Sequence, residues 1–337
     1  MASVALIGGT GQIGRAVAPR LVEDDWDVTL LTRSGELPQG LGEMGVGAAS
    51  VDRAVPRALE RSLGTGVDVV IDLIAFGLIE AQQLNALADR IGSVIVISSA
   101  SVYADDRQRS LDDATDVATF PELPVPITET QPTVEPSERT YSTRKVAMER
   151  CLLEGPLAAT IIRPCAVHGP GSALPRELFF VKRALDGRRV VVLVCAGESR
   201  FHTTSVANLA ELIRLAARKP GKTILNCGDP SPPTVRSIGR SVAAALGHRF
   251  EELLIPETGY DKPELSNPWA VPRPVLLDMS RAAEVLSYRP VATYHDAVVK
   301  TCHWLVDEAR KRDWNDTYLG QFFDYDAEDR VVASIKP

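Results

Sequence analysis

Tyr141 and Lys145 are spaced so that they could move a proton together. They belong to the stretch YSTRK, which opens a segment (141–153) whose pattern predicts a helix. Residues four positions apart share one face of a helix, so the phenol and the ammonium are predicted to be neighbours. A free tyrosine titrates near pH ~10, and a lysine cation beside it lowers that pKa, so the pair could act as a general acid and base. An ordinary amphipathic helix shows the same spacing by chance, so the interpretation depends on the neighbouring motifs.

A cluster of serines is one such neighbour. Ser98 ends a predicted buried strand at 93–98, and Ser99 and Ser101 follow it. Ligands of open α/β sheets bind outside the carboxyl ends of the strands, where a serine hydroxyl could hold a substrate carbonyl near the phenol. Serine is also a common turn residue, and for any one of the three the turn role remains the alternative.

The glycines after the first predicted strand form another motif. Gly9, Gly11 and Gly14 fit G-x-G-x-x-G between a strand at 3–7 and a predicted helix at 12–23. Glycines permit a tight turn and the close approach of a pyrophosphate, and the helix N-terminus adds partial positive charge. This context favours a dinucleotide site over a purely structural turn. The predicted contacts are Gly8, Thr10, Gly11, Gln12, Ile13 and Gly14.

The end of the second predicted strand bears on which dinucleotide binds. In such a unit this position faces the adenosine ribose, where an acid would accept hydrogen bonds from both hydroxyls and repel a 2′-phosphate. Thr32, Arg33 and Ser34 stand there, and the guanidinium of Arg33 could grip a phosphate in two places. These residues predict NADP, with NAD as the less favoured cofactor. Asp52 is expected beside the adenine, and a plain surface role is the alternative for Arg33.

The surrounding pattern predicts the elements that position these residues. Near-continuous apolar runs, typical of strands buried on both faces, alternate with helical patterns up to residue 163. This alternation predicts an α/β fold with a doubly wound parallel sheet, a Rossmann fold, and a smaller α+β substrate lobe. The predicted strands are 3–7, 27–32, 67–74, 93–98 and 159–163, with 223–228 as one more strand that could return to the sheet. The predicted helices are 12–23, 55–63, 79–90, 141–153, 174–186, 205–218, 233–246 and 293–311.

The predicted domains follow from the same rhythm. Residues 1–165, with about 203–228, form the NADP-binding domain, and residues 166–202 and 229–312 form the substrate lobe. Residues 104–138 are acidic and proline-rich, and a connection that long predicts a wall or lid over the site. The aromatic-rich tail, 313–337, is expected to cover the protein's own surface, with a homodimer contact as the alternative.

The composition of the chain argues against several classes of function and of binding site. The chain has 337 residues, 45% of them hydrophobic, and a formal net charge of −7. No basic run suggests nucleic acid, and no segment is a signal peptide or long enough to span a membrane, so we expect a cytoplasmic protein. The five cysteines have no metal-binding or disulfide spacing, and no metal is expected. His168 and His202 fall near the expected cleft, where a structural role is favoured for both.

Taken together, these motifs resemble the extended short-chain dehydrogenase/reductase family, in its NAD-dependent epimerase/dehydratase branch. The resemblance runs from Val4 to about Asp307 and rests on the order of several stretches. These are GGTGQIG, SSASVY, YSTRK, IIRPCAVHGPG, LNCGD and the late D-x-S-R…L-S-Y-R-P.

The resemblance implies roles for individual residues. Ser99 matches the catalytic hydroxyl, Tyr141 the acid/base, and Lys145 its partner, which also reaches the ribose hydroxyls. Arg163 and Pro164 match a segment on the nicotinamide side. Leu73 and Ala75, after the strand at 67, complete the predicted cofactor contacts. Two departures from the family pattern argue against a sugar-nucleotide substrate. Ile74-Ala75-Phe76 stands where sugar-nucleotide enzymes tend to carry a His-Leu-Ala-Ala segment, and Arg200-Phe201-His202 is one position out of register with their Arg-Asp-Phe segment.

Three functions are consistent with these residues. The favoured one is an oxidoreductase that moves hydride between nicotinamide and a carbonyl or alcohol carbon of a small molecule, with Tyr141 exchanging the proton. A nucleotide-sugar epimerase or dehydratase that uses the cofactor transiently is the second. A non-catalytic cofactor-sensing protein is the third, and the intact set of Ser99, Tyr141 and Lys145 argues against it.

Overall fold

The apolar runs form parallel strands, as the sequence predicts. The computed structural model describes residues 1–309, 311, 314 and 318–335. The strands are β1 Ser3–Ile7, β2 Asp27–Thr32, β3 Gly47–Ser50, β4 Val67–Asp72, β5 Ile91–Ile97, β6 Ala158–Pro164, β7 Ala166–His168, β8 Val190–Leu193, β9 Thr203–Ser205, β10 Thr223–Cys227 and β11 Glu251–Leu254. The α-helices are α1 Gln12–Val22, α2 Ala58–Leu63, α3 Leu78–Asn85, α4 Tyr141–Glu154, α5 Leu178–Leu185, α6 Val206–Arg218, α7 Val235–Ala245, α8 Ser280–Leu286, α9 Tyr294–Ala309 and α10 Tyr325–Ile335.

Seven of these strands make one sheet, in the order β10-β6-β5-β4-β1-β2-β3. All neighbours are parallel, so the predicted doubly wound α/β fold is confirmed, and β10 is the additional strand expected at 223–228. Ile7 lies opposite Leu31, and Ile97 lies opposite Ile162. The carboxyl ends of β1, β2, β5 and β6 therefore open onto one edge, where the candidate residues gather.

Helices cover both faces of the sheet. On one face, α1 and α6 pack on a core that includes Leu6, Leu30 and Ile213. On the other face, α3 and α4 pack on a core that includes Val70, Val96 and Met148. Among the described residues, no helix is both long and apolar enough to cross a bilayer.

The C-terminal part has its own core. Two short parallel pairs, β8 with β11 and β7 with β9, stand beside helices α5, α7 and α9. Phe180 and Trp269 stack at its centre, with ring centroids 6.0 Å apart. In the tail, Trp314 and Phe322 are buried in this core, as expected of a tail that covers its own surface, while Tyr318 is 65% exposed. Part of the predicted tail (313, 315–317 and 336–337) lies outside the described residues, and the homodimer contact stays a prediction.

Residues 104–138, here called the wall segment, pack between the sheet edge and the C-terminal lobe. Ile127 bridges to Leu277, and the Arg273 guanidinium donates to the carbonyls of Val117 and Phe120, both at 3.1 Å. Ile127 and Phe120 are buried with Ala100, which follows β5. The segment therefore stands at the carboxyl edge of the sheet, which the prediction of a wall or lid requires.

Some predicted boundaries were wrong for local reasons. The strand at 67 ends at Asp72 and not at residue 74, because the Asp72 carboxylate accepts the Ile74 N–H at 3.0 Å and turns the chain. The helix predicted to reach residue 90 ends at Asn85, because the Arg90 carbonyl already pairs with the Val67 N–H at 2.9 Å beside the sheet. Helices α8 and α10 were not predicted.

Candidate active site

Tyr141 is the first residue of α4, and Ser99 follows β5. Thr140 caps the helix, its hydroxyl accepting the Thr143 N–H, and this cap fixes where the phenol leaves the chain. Burial raises the pKa of Tyr141, an effect that the nearby Ser99 hydroxyl opposes and the Asp112 carboxylate reinforces. The structure thus brings the predicted hydroxyl and phenol together, and the net shift of the Tyr141 pKa is upward, opposite to the lowering predicted from the lysine beside it.

Lys145 lies one helical turn further on and is almost fully buried. Its Nζ donates to the carbonyls of Ala75, at 2.6 Å, and Ile97, at 2.9 Å, and lies 5.7 Å from the centroid of the Tyr141 ring. Burial lowers the pKa of Lys145 to about 8, opposed by the negative charges of Asp72, Glu149 and Glu80. The ammonium is therefore positioned by the ends of two neighbouring strands.

Two further contacts at this end of α4 were not anticipated. The ring of Phe76 lies 5.6 Å from the ring of Tyr141, at 57°. Asp112, in the wall segment, accepts the backbone N–H of Ser142 at 2.8 Å. Acids in the wall segment were noticed from the sequence, but nothing distinguished Asp112 from the others, because its partner lies 30 positions away.

The glycine-rich turn has the form that a dinucleotide needs. Gly8 has a φ of +80°, and the Gly11 N–H donates to the Gly8 carbonyl at 3.2 Å. A Cβ at Gly14 would overlap the backbone of Gly9, so only glycine permits this close packing of α1 on the turn. The Gln12 amide donates to the Gly169 carbonyl at 3.0 Å, and Ile13 packs partly on the core, so these side chains hold the turn in place.

A cavity of about 280 Å³ continues from this turn toward the end of β2. Six of the predicted cofactor residues line it: Gly8, Thr10, Gly11, Thr32, Arg33 and Asp52. The Thr32 hydroxyl accepts the Gly35 N–H at 2.8 Å and shapes its own turn, and the exposed Ser34 does the same for Glu36 at 3.2 Å. The cradle and the cavity fit the adenosine half of a dinucleotide, with Arg33 at its rim.

Arg53 also lines this cavity and was missed. It donates to the buried carboxylate of Asp72 at 2.6 Å and to Gln83 at 3.1 Å, while its remaining terminal nitrogen is buried without a partner. Asp72, at the end of β4, is fully buried. The signal in the sequence was an arginine directly after the expected adenine residue, Asp52, but its partner could not be inferred.

Arg163, a predicted cofactor contact, is a buried side chain in the structure. Its guanidinium is buried, pairs with both carboxylate oxygens of Glu149, and lies 4.8 Å from the ring centroid of Tyr103. Burial opposes its charge, yet the pairing with Glu149 raises the pKa of Arg163 above its usual range. The side chain is thus committed to the interior beneath the site.

The other three predicted cofactor contacts are apolar residues that interact here mainly through their backbone. Pro164 ends β6 opposite Cys227, and Leu73 donates its N–H to the Ile7 carbonyl at 3.0 Å. Ala75 is buried, and its carbonyl holds Lys145. No side chain of these three carries chemistry.

Both histidines near the cleft are structural. His168 lies 2.8 Å from the Asp229 carboxylate, fully inside the protein. The His202 ring accepts the Leu277 N–H at 2.9 Å and lies 2.8 Å from the Asp229 carbonyl. This confirms the role that the sequence favoured.

Known proteins share sequence features and the fold of this chain. The model of the NAD dependent epimerase/dehydratase family matches residues 4–228. The chain belongs to this family. Its members are enzymes of the short-chain dehydrogenase/reductase type that use a nicotinamide cofactor, so this chain is an NAD(P)-dependent enzyme of that type.

The individual proteins that resemble this chain share a low percentage of identical residues with it. The ceramide reductase of Caulobacter vibrioides is 26% identical over 258 residues, which cover 76% of this chain and 74% of the relative. Among solved structures, the UDP-N-acetylglucosamine 4-epimerase of Bacillus cereus has a TM-score of 0.69 at 17% identity, covering 91% of this chain and all of that one. The dTDP-glucose 4,6-dehydratase of Bacillus anthracis, solved with NAD, has a TM-score of 0.69 at 16% identity, covering 92% and 98%. At such identity, the structures show the shared fold alone.

Proposed function

We propose that this protein is an NADP-dependent oxidoreductase that interconverts a carbonyl and an alcohol on a small-molecule substrate. The observation that carries the proposal is the meeting of Ser99, Tyr141 and Lys145 at the sheet edge that also holds the glycine-rich turn. A bound nicotinamide supplies or accepts the hydride. Ser99 holds the substrate oxygen, and Tyr141 donates the proton to it during reduction. The raised pKa keeps Tyr141 protonated before that donation but makes it a weaker acid, and the Lys145 ammonium, 5.7 Å from the ring centroid, favours the donation by stabilising the phenolate left behind.

Several features favour reduction over sugar-nucleotide epimerisation. The segment Ile74-Ala75-Phe76 is apolar, with Ile74 against Gly8 and Phe76 against Tyr141. His202 is bonded within the lobe and is not available to a substrate. The relative from Caulobacter vibrioides is a reductase by name. Together these support net hydride transfer to a carbonyl, with a substrate that need not be a nucleotide sugar.

The preference for NADP rests on the cations at the adenosine cavity. Arg33 and Arg53 both line it, while the Asp52 carboxylate already accepts the Ala54 N–H at 2.9 Å. A 2′-phosphate would meet the Arg33 guanidinium there, whose planar fork can bind phosphate strongly, and Arg53, although paired with Asp72, adds a second cation at the wall of the cavity. The solved dehydratase contains NAD, which makes the cofactor titration essential.

A cytoplasmic location is part of the proposal. All five cysteines are free, and Cys227 and Cys302 are buried. Free thiols are typical of proteins kept in a reducing compartment.

Tyr141→Phe tests the catalytic role. We expect turnover to fall by roughly 10²–10⁴-fold, the range of general acid–base catalysis, while NADPH still binds. Oxidation of NADPH should be followed at 340 nm with a panel of ketones, aldehydes and nucleotide sugars, since an epimerase would convert substrate without net oxidation. Tyr325→Phe is the control, because that hydroxyl bonds Asp186 in the other lobe at 2.6 Å. Near-normal turnover by Tyr141→Phe would contradict the assignment.

Arg33→Ala tests the cofactor preference. Charge-assisted hydrogen bonds of about 1.5–3 kcal/mol correspond to roughly tenfold or more in affinity, so NADPH should bind the variant at least about tenfold more weakly, with NADH unchanged. Calorimetric titration of both cofactors provides the measurement. Arg61→Ala, an exposed arginine on α2, is the matched control. Equal or tighter binding of NADH by the unaltered protein would overturn the preference.

A further inference from the structure

Arg176 is a charged side chain in the substrate lobe that the mechanism does not use. It lies between β7 and α5, just after Pro175, and is partly buried. Its guanidinium carbon stands 5.6 Å from the centroid of the Phe201 ring. Among the described residues, no hydrogen bond or ion pair reaches this guanidinium.

Its position is close to the catalytic group. Burial raises the pKa of Cys165 to about 12, and the charge of Arg176 acts on that thiol in the opposite direction, which places the two side by side. Cys165 packs on the cluster that contains Ala100, the residue after Ser99. Because Ile97 lies opposite Ile162, Ser99 and Cys165 leave the sheet at the same edge. Arg176 therefore lies beside Cys165 and Phe201, on the cluster that adjoins Ser99 at this edge of the sheet.

Arg176 differs from the arginines that support the fold. Arg163 is paired with Glu149, and Arg183, in the same lobe, is 2.5 Å from Glu328. A cation removed from water without a partner is costly, and these two meet that cost with a carboxylate. The acid beside Arg176 in sequence, Glu177, is buried and 3.3 Å from the Tyr294 hydroxyl; its charge acts on Arg176, but no hydrogen bond or ion pair joins the two among the described residues.

We propose that Arg176 binds an oxyanion, such as a carboxylate, sulfate or phosphate, at the end of the substrate away from the reacting carbonyl. This inference rests on the proposed function, because it names the substrate class of the same site. The planar fork can hold two oxygens at once, and the apolar neighbours Phe201 and Cys165 reduce competition from water. Arg176 comes from a different segment from Arg200, which is exposed. The substrate is then an oxo acid or an acidic conjugate, not a neutral ketone.

The test uses pairs of probes that differ only in charge. ω-Oxo carboxylates of four to ten carbons and their methyl esters would be reduced with NADPH by the unaltered enzyme and by Arg176→Gln and Arg176→Lys. For at least one chain length, kcat/KM of the acid should exceed that of its ester by roughly tenfold or more. Arg176→Gln should remove this advantage through KM and leave the ester unchanged, and Arg176→Lys should keep part of it. Arg249→Gln, an exposed arginine elsewhere in the lobe, should change neither.

A binding measurement separates this inference from the proposed function. Calorimetric titration of the same acids and esters into Tyr141→Phe with NADP needs no turnover. Tighter binding of acid than ester, lost in Tyr141→Phe/Arg176→Gln, supports the anion site even if no probe is reduced. Equal binding of acid and ester at every chain length, or a preference that survives Arg176→Gln, overturns it.

Discussion

Glu149→Gln changes the side chain little but should lower the free energy of unfolding strongly, because it removes one charge of a buried ion pair. Glu149, on α4, and Arg163, in β6, are each 2% exposed and face each other with both carboxylate oxygens engaged. Breaking a buried pair by neutralising one partner leaves an uncompensated charge, which costs about 3–5 kcal/mol. Glutamine keeps one acceptor for Arg163, so we expect Glu149→Gln to lie near the lower end, about 3 kcal/mol.

Urea unfolding followed by circular dichroism measures this loss. The matched control is Glu135→Gln, which breaks the pair with Arg150 on the same helix, where the side chains are 77% and 43% exposed. Exposed pairs contribute about 0–1 kcal/mol, so the control should unfold close to the unaltered protein. A loss for Glu149→Gln no larger than the control's would refute the reasoning.

A double variant separates charge from packing. Glu149→Leu/Arg163→Met removes both charges and fills the same space with apolar side chains. Such replacements of buried ion pairs are often neutral or stabilising. We therefore expect the double variant to recover most of the stability lost in Glu149→Gln. The same protein tests the predicted cofactor role of Arg163, since NADPH should bind it normally if the guanidinium serves only the interior. A Kd weakened tenfold or more would restore Arg163 to the cofactor site.

Two further predictions concern the site itself. Because Lys145 has a pKa of about 8, its ammonium is lost as pH rises through that value, and kcat/KM for reduction should fall above about pH 8. Asp72→Asn removes a negative charge that raises the Lys145 pKa, so this variant should move the fall to lower pH. A flat profile from pH 7 to 9 would exclude the lysine as the titrating group. Gly14→Ala places a methyl group against the Gly9 backbone and should weaken NADPH binding at least about tenfold, as measured by fluorescence titration. In the control Gly221→Ala, the methyl group meets open space and the affinity should not change. Unchanged affinity in Gly14→Ala would mean that the turn can shift.

The parts of the site that the sequence predicts are those encoded by short-range pattern. Tyr141 and Lys145 are one helical turn apart, and Ser99 follows a buried strand, so helix geometry and strand order bring them together. The glycine spacing likewise specifies a turn between β1 and α1. These signals are local, and the parallel sheet then aligns the strand ends at one edge.

The contacts that the sequence does not predict are pairings over long separations. Arg53 meets Asp72, Asp112 meets Ser142, and Arg163 meets a glutamate 14 positions earlier. Each is one charged residue among many of its kind, and only the folded packing selects the partner. The resemblance assigned Arg163 by position alone, whereas burial against Glu149 explains why an arginine stands there.

Two of these pairings, Arg53 with Asp72 and Arg163 with Glu149, involve carboxylates whose charges act on Lys145. Arg53 pairs with Asp72 and Arg163 pairs with Glu149, and the negative charges of both carboxylates oppose the lowering of the Lys145 pKa by burial. Without those carboxylates, burial alone would lower the pKa of the lysine further. The lysine charge on which the proposed mechanism depends is therefore maintained by residues outside the proposed catalytic group. Since Arg53 also lines the adenosine cavity, cofactor binding and the protonation of Lys145 share the carboxylate of Asp72. Changes in either ion pair should consequently shift the pH dependence of catalysis as well as stability.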